Sequence, residues 1–301
     1  MAEVSRRGLL QLIGLEAGYV MLSKGFYSPY HHLKPKALLI GIDGLRADSL
    51  PAVKTPSIDY LLTRGAYSYE AQAGNHTSSG PGWSTVLTGV GEAKHGVTDN
   101  AFTGSHLDLY PSLFTHLAQE KPKLKTGSLV SWQPLDDNII KDGWVKEYLP
   151  YGHEEDLPVA ARAAALLSRS QVDFLFAYFM SVDMAGHAHG FDPAVPEYAK
   201  AITTVDNYVG KLMRAIAGRP SYSQENWLVM LTSDHGGLGK VHGGTSLEEK
   251  TIPLVMHGLS VKPGKITPAP SQADLVPTLL HHLGVPVKPA WNLDGRAVGL
   301  R

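Results

Sequence analysis

The hydrophobic positions of this chain alternate between short continuous apolar runs and longer stretches with a helical repeat. Residues 37–42 (ALLIGI), 173–180, 227–231 and 252–256 are continuous runs, which predicts strands buried on both faces. Further strands are expected at 67–70 and 125–131. The clearest helical stripe is Ala201, Val205, Val209, Leu212 and Ile216, inside a helix predicted over 196–217. Helices are also predicted over 56–62, 81–88, 110–119, 158–168 and 273–283. Thr55 is the expected N-cap of the first, with Pro56 at its first position, and Gly284 closes the last. Strands alternating with helices predict the α/β class: a mostly parallel sheet flanked by helices on both faces.

Composition narrows the chemistry. The 301 residues are 43% hydrophobic and 18% charged, enough to bury a sizeable core. A net charge of −1 without long charge runs argues against stable nucleic-acid binding. With no cysteine, disulfides, thiolate catalysis and Cys-ligated zinc are excluded. Fourteen histidines suit a metal enzyme. Residues 1–34 read as a leader or N-terminal appendage, and residues 35–301 as one domain. Ser5-Arg6-Arg7-Gly8-Leu9-Leu10 has the look of a twin-arginine export signal, which predicts a periplasmic or extracellular protein. The competing reading is an amphipathic helix packed on a cytoplasmic domain. The apolar stretch that follows is interrupted by Glu16 and is too short for a membrane span.

Four separate segments concentrate Asp, His and Ser. They carry Asp43 (IDG), Ser79 (SGPGWSTVLTG), Asp183 with His187 (DMAGHAHG), and Asp234, His235 and His242 (DHGGLGKVHGG). Three of them directly follow an apolar run. Side chains at strand ends meet in one crevice of an α/β sheet. Asp183/His187, Asp234/His235 and Asp43 supply enough oxygen and nitrogen ligands for two divalent ions. A hydroxyl activated between two metals suits in-line displacement at phosphorus.

In this order the segments resemble the alkaline phosphatase superfamily, and most closely its type I phosphodiesterase/nucleotide pyrophosphatase branch. The resemblance covers most of residues 37–285. It implies an alkaline-phosphatase-like sandwich and a two-metal hydrolase of small-molecule phosphate esters. Pro81 and Gly89 place Ser79 in the register of the family's nucleophile, where it would also touch a metal and form a phosphoseryl intermediate. Thr77 and Ser78 are the neighbouring competitors. The resemblance assigns Asp43, Asp234 and His235 to the metal on the nucleophile side, and Asp183, His187 and His242 to the second. His189 is a decoy for His187. In larger relatives the counterpart of His242 follows an inserted segment, so this chain reads as a compact version. The metals are expected to be zinc, with manganese or iron as alternatives. Asn100 matches the family's neutral donor to a phosphoryl oxygen. Trp83 and Trp132 read as core or rim aromatics, with stacking on a leaving group as the other reading. Trp83 also stands where sulfatases, which share the fold, carry an arginine. A phosphomonoesterase is the alternative activity, with Arg46, Lys94 and Lys240 as the cations that would favour it. A non-catalytic metal-stabilised binding protein is the third reading.

Overall fold

A computed structural model describes residues 30, 32–152, 156–169 and 172–301. The Arg6-Arg7 pattern and the rest of that leader expectation lie outside the described residues. Residues Leu33–Arg301 form one compact unit, built on an eight-stranded sheet of order β4-β3-β5-β1-β6-β7-β2-β8. The strands are β1 (Lys34–Ile42), β2 (Ala66–Gln72), β3 (Thr126–Val130), β4 (Val145–Tyr148), β5 (Phe174–Phe179), β6 (Glu225–Thr232), β7 (Thr251–Gly258) and β8 (Gly264–Lys265). β1 lies between β5 and β6 and runs parallel to both. β7 runs antiparallel to β2 and β6, so the sheet is mixed but mostly parallel.

Alternation along the central strand explains the helix on each face. Ala37 and Leu39 join one core with Phe174, Phe176, Tyr178, Leu228 and Met230. Against that core pack α2 (Ser79–Thr88), α3 (Leu113–Glu120) and α7 (Leu275–His282). Leu38, Ile40 and Ile42 face the other way. They meet α1 (Pro56–Thr63), α4 (Leu157–Ser168) and α6 (Pro196–Ala217). α5 (Ser181–His189) follows β5 directly.

Several sequence expectations shift here. β4 and β8, four and two residues long and largely solvent-facing, carry too little apolar signal to be anticipated. The helix predicted over 273–283 is a 3₁₀ turn at Gln272–Asp274, capped by Ser271, followed by α7. Gly284 does follow its end with a φ of 69°. In α6 the buried stripe runs through Ile202 rather than Ala201. Thr55 precedes α1 but its hydroxyl does not cap it. The cap comes from a distant helix: Asp206 of α6 accepts the N–H groups of Ser57 and Ile58, the latter at 2.8 Å. A carboxylate satisfies those orphan donors better than a hydroxyl and complements the helix dipole.

Candidate metal centre

Three strands deliver the site. Asp43 directly follows β1, Asp183 sits in the first turn of α5 after β5, and Asp234-His235 follow β6. Parallel neighbours put these C-terminal strand ends side by side. His187 lies one turn after Asp183, with Nε2 3.4 Å from Asp183 Oδ2. His242 Nε2 lies 3.7 Å from Asp183 Oδ1 and 3.0 Å from His187 Nε2. His235 Nε2 lies 3.5 Å from Asp43 Oδ1 and 3.2 Å from Asp234 Oδ2. The ligand atoms of Asp183, His187 and His242 fall within 4.8 Å of one another, and so do those of Asp43, Asp183 and His235. Asp183 therefore reaches both halves of the cluster.

The tautomers follow from the partners. His187 Nδ1 donates to Lys240 O at 3.0 Å, His235 Nδ1 to Gly236 O at 2.7 Å, and His242 Nδ1 to Thr77 O at 2.8 Å. A carbonyl only accepts, so each Nδ1 carries the proton and each Nε2 presents a lone pair. His187 and His242 thus aim two lone pairs at each other. Asp43 Oδ1, Asp183 Oδ1, Asp234 Oδ2 and His235 Nε2 are buried with no hydrogen-bond partner among the described residues. Buried acceptors left in this state are costly. Burial, and next the Asp43 carboxylate, pushes Asp183 up to about 8. The same two causes push Asp234 well above the ordinary carboxylate range. Burial, and next His235, lowers His242 to about 4. A set of acceptors that repel one another and lack donors fits a divalent cation, which all of them favour.

Helix α2 sits over this cluster by its N-terminus. Its start is Ser79 itself, two residues before the predicted start at Pro81. Thr77 holds His242, while Trp83 Nε1 donates to Asp43 Oδ2 at 3.0 Å. Gly82 permits the approach: a Cβ there would lie 2.6 Å from the carbonyl oxygen of Asp234. Ser79 is 8% exposed. Thr77 is bound on both sides, donating to Gly244 O and accepting from Gly243 N. Asn100 is exposed, and its Oδ1 accepts the Gly80 N–H at 2.7 Å. The decoy His189 is exposed at the end of α5.

The model of the type I phosphodiesterase/nucleotide pyrophosphatase family matches residues 37–130 and 123–249, more than half of the chain. The chain belongs to that family. Human ectonucleotide pyrophosphatase/phosphodiesterase family member 5 is 26% identical over 219 residues, covering 67% of this chain and 44% of the human protein. The chain thus spans less than half the length of that relative. An inactive variant of murine ectonucleotide pyrophosphatase/phosphodiesterase 5, in complex with AMP, superposes with a TM-score of 0.69 at 16% identity. That match covers 85% of this chain and 96% of the murine one. A 2-O GAG sulfatase gives a TM-score of 0.69 at 16% identity, covering 88% of this chain and 73% of the sulfatase. These structures share the alkaline-phosphatase-like sandwich.

Two further residues of this phosphodiesterase-family chain act on the site through Asp43. Trp83 is a fully buried core aromatic, as its sequence suggested, but its indole N–H also binds Asp43. Tyr178 at the end of β5 donates its hydroxyl to the same Oδ2 at 2.6 Å. Together they occupy Oδ2 and leave Oδ1 facing the cluster. A Tyr inside an apolar run reads as core, so only alternation toward the Asp43 face could have marked it. The three nearby cations are engaged elsewhere. Arg46 pairs with Asp48 and donates to Phe191 O, Lys94 pairs with Asp294, and Lys240 donates to Ala188 O.

Proposed function

We propose that this chain is a metal-dependent phosphoric ester hydrolase that prefers diesters, with Ser79 as nucleophile. The observation that carries this reading is the convergence of unpartnered Asp oxygens and imidazole Nε2 lone pairs beneath the N-terminus of α2. Asp43, Asp234 and His235 would hold one ion, and Asp183, His187 and His242 a second. Two divalent ions would supply Lewis-acid charge to the phosphoryl oxygens and ease deprotonation of the attacking hydroxyl and of water. His nitrogen with Asp oxygen suits zinc, and admits manganese or iron.

The chain's own groups do the rest. Ser79 Oγ, having given up its proton, forms a bond to phosphorus as the bond to the leaving oxygen breaks. The leaving oxygen departs as an alcohol, and phosphorus, still carrying the second ester group, is held on Ser79 as a diester. Water then attacks phosphorus, the Oγ–P bond breaks, Ser79 regains a proton, and a phosphate monoester is released. The helix N-terminus favours charge at Ser79. Because Asn100 Oδ1 already accepts from Gly80 N, its amide nitrogen is left to donate to a non-bridging oxygen. Asn100 is neutral, and Arg46, Lys94 and Lys240 each serve another partner. A diester, one charge poorer than a monoester, suits such a site. A nucleotide-type small molecule is the proposed substrate class. The family description and the AMP complex of the murine neighbour support it.

The test is turnover of bis-p-nitrophenyl phosphate against p-nitrophenyl phosphate on metal-replete chain, with elemental analysis. The expected result is higher kcat/KM for the diester, activity abolished by chelation and restored by zinc, and about two metals per chain. A tenfold advantage for the monoester makes the chain a phosphomonoesterase. Bound metal with no turnover makes it a binding protein. Far less than one metal per active chain overturns the metal reading.

A further inference from the structure

Between His235 and His242 the chain forms a two-residue hairpin. Leu238 and Val241 exchange N–H···O bonds of 2.9 and 3.2 Å across the Gly239-Lys240 turn. Gly239 has a φ of 61°, the left-handed region that favours glycine. Both carbonyls of that turn bind the end of α5 and the residues after it. Gly239 O accepts the Phe191 N–H at 2.7 Å, and Lys240 O accepts from His187 Nδ1 at 3.0 Å. The Lys240 ammonium returns the contact, donating to Ala188 O at 2.9 Å near the helix C-terminus. That end of a helix has orphan carbonyls and favours a cation. Beneath the hairpin, Gly237 lies so close to the Phe191 ring that a Cβ would come within 2.3 Å of it.

We propose that Lys240 is a positioning residue for the second metal, acting through this clasp rather than on substrate. Its main chain fixes the tautomer of His187, and its side chain fastens the hairpin that delivers His242. Two histidines from distant segments are thereby held with their Nε2 atoms 3.0 Å apart. His187 needs such help because its side chain is 42% exposed and packing alone does not hold it. Partners of this kind, one bond removed from the ion, typically change metal affinity by ten- to a hundredfold. The inference rests on the two-metal reading above.

Zinc titration by calorimetry on the metal-free full chain tests it, together with ¹⁵N spectra of the histidine rings. In Lys240→Met, one zinc should bind about tenfold more weakly while the other is unchanged. The Nδ1–H tautomer of His187 should also lose population. Lys240→Arg, which can still donate to Ala188 O, should restore both. Gly239→Val strains the turn but keeps the ammonium, and should act in the same direction. The ratio of diester to monoester turnover should not change. Unchanged zinc affinity and tautomer in Lys240→Met and Gly239→Val overturn this inference alone. Selective loss of monoester turnover in Lys240→Met overturns it in favour of a phosphate-binding lysine. A wild-type chain that binds neither zinc, manganese nor iron overturns the proposed function, and this inference with it.

Discussion

Ser79 and Thr77 sit two residues apart on one segment, yet their hydroxyls are used differently. Thr77 is locked to Gly243 and Gly244 and its carbonyl orients His242. Among the described residues nothing hydrogen-bonds the Ser79 hydroxyl, which opens the first turn of α2. Ser79→Ala should therefore lower kcat by on the order of a thousandfold or more while the melting temperature stays near wild type. Steady-state kinetics beside thermal unfolding measure both. Near-full activity in that variant, with loss in Ser78→Ala, moves the nucleophile. The residue types of this site were legible in the chain, because Asp, His and Ser at strand ends are unusual company. The directions of the His187 and His242 imidazoles were not legible, since they depend on carbonyls from segments remote in sequence. The contacts of Trp83 and Tyr178 are not legible for the same reason: their donors are defined by where Asp43 lies.

At the level of elements, α1 and α2 show how one helix end depends on another part of the fold. α1 is expected to begin at Pro56 and does, but its N-terminal donors are met by Asp206, on α6. Asp206→Ala should cost about 1–2 kcal/mol, as lost caps do, whereas Thr55→Val should cost clearly less. Urea unfolding of the two variants decides between the local and the remote cap. α2 depends on Gly82 for its approach to Asp234. The long helix at 196–217 is legible to the residue because 22 residues of periodic pattern average out local noise. The two-residue strand β8 is not legible in the sequence, because nothing so short carries a period.

Across the whole molecule, buried neutral histidines couple stability to pH. Burial lowers His95, His116 and His282 to about 4 from an ordinary 6.5. His95 Nδ1 accepts the Val97 N–H, so its protonation would also remove an acceptor. A folded value below the unfolded one means that the stabilisation is complete above 6.5. It is lost as pH falls through 4, by on the order of 3 kcal/mol per histidine. The raised carboxyls of Asp183 and Asp234 contribute the opposite slope, so the histidine contribution is read as a difference. Relative to wild type, the urea midpoint of His116→Phe should rise as pH falls from 7 to 4. A difference between the two midpoints that does not change with pH in this window refutes the coupling. Among the described residues no helix is long and apolar enough to cross a membrane. We propose export through Arg6-Arg7 on the sequence alone. A reporter fused to residues 1–35 should cross the membrane, and Arg6→Lys with Arg7→Lys should block it. A reporter retained inside in both cases refutes export.

Hydrophobic periodicity was enough to establish the α/β class and most elements, because burial on two faces or on one imposes its period directly on the sequence. The order of the chemical segments was enough to suggest the family and to nominate Asp43, Ser79, Asp183, His187, Asp234, His235 and His242. Tertiary structure alone decided which strands neighbour which, and so which carboxylates share a space. It decided that Asp183 reaches both halves of the cluster. It also turned Lys240 away from the phosphate role its position allowed and onto Ala188. A side chain's partner is set by distances between segments, and sequence spacing carries no information about those until the chain has folded.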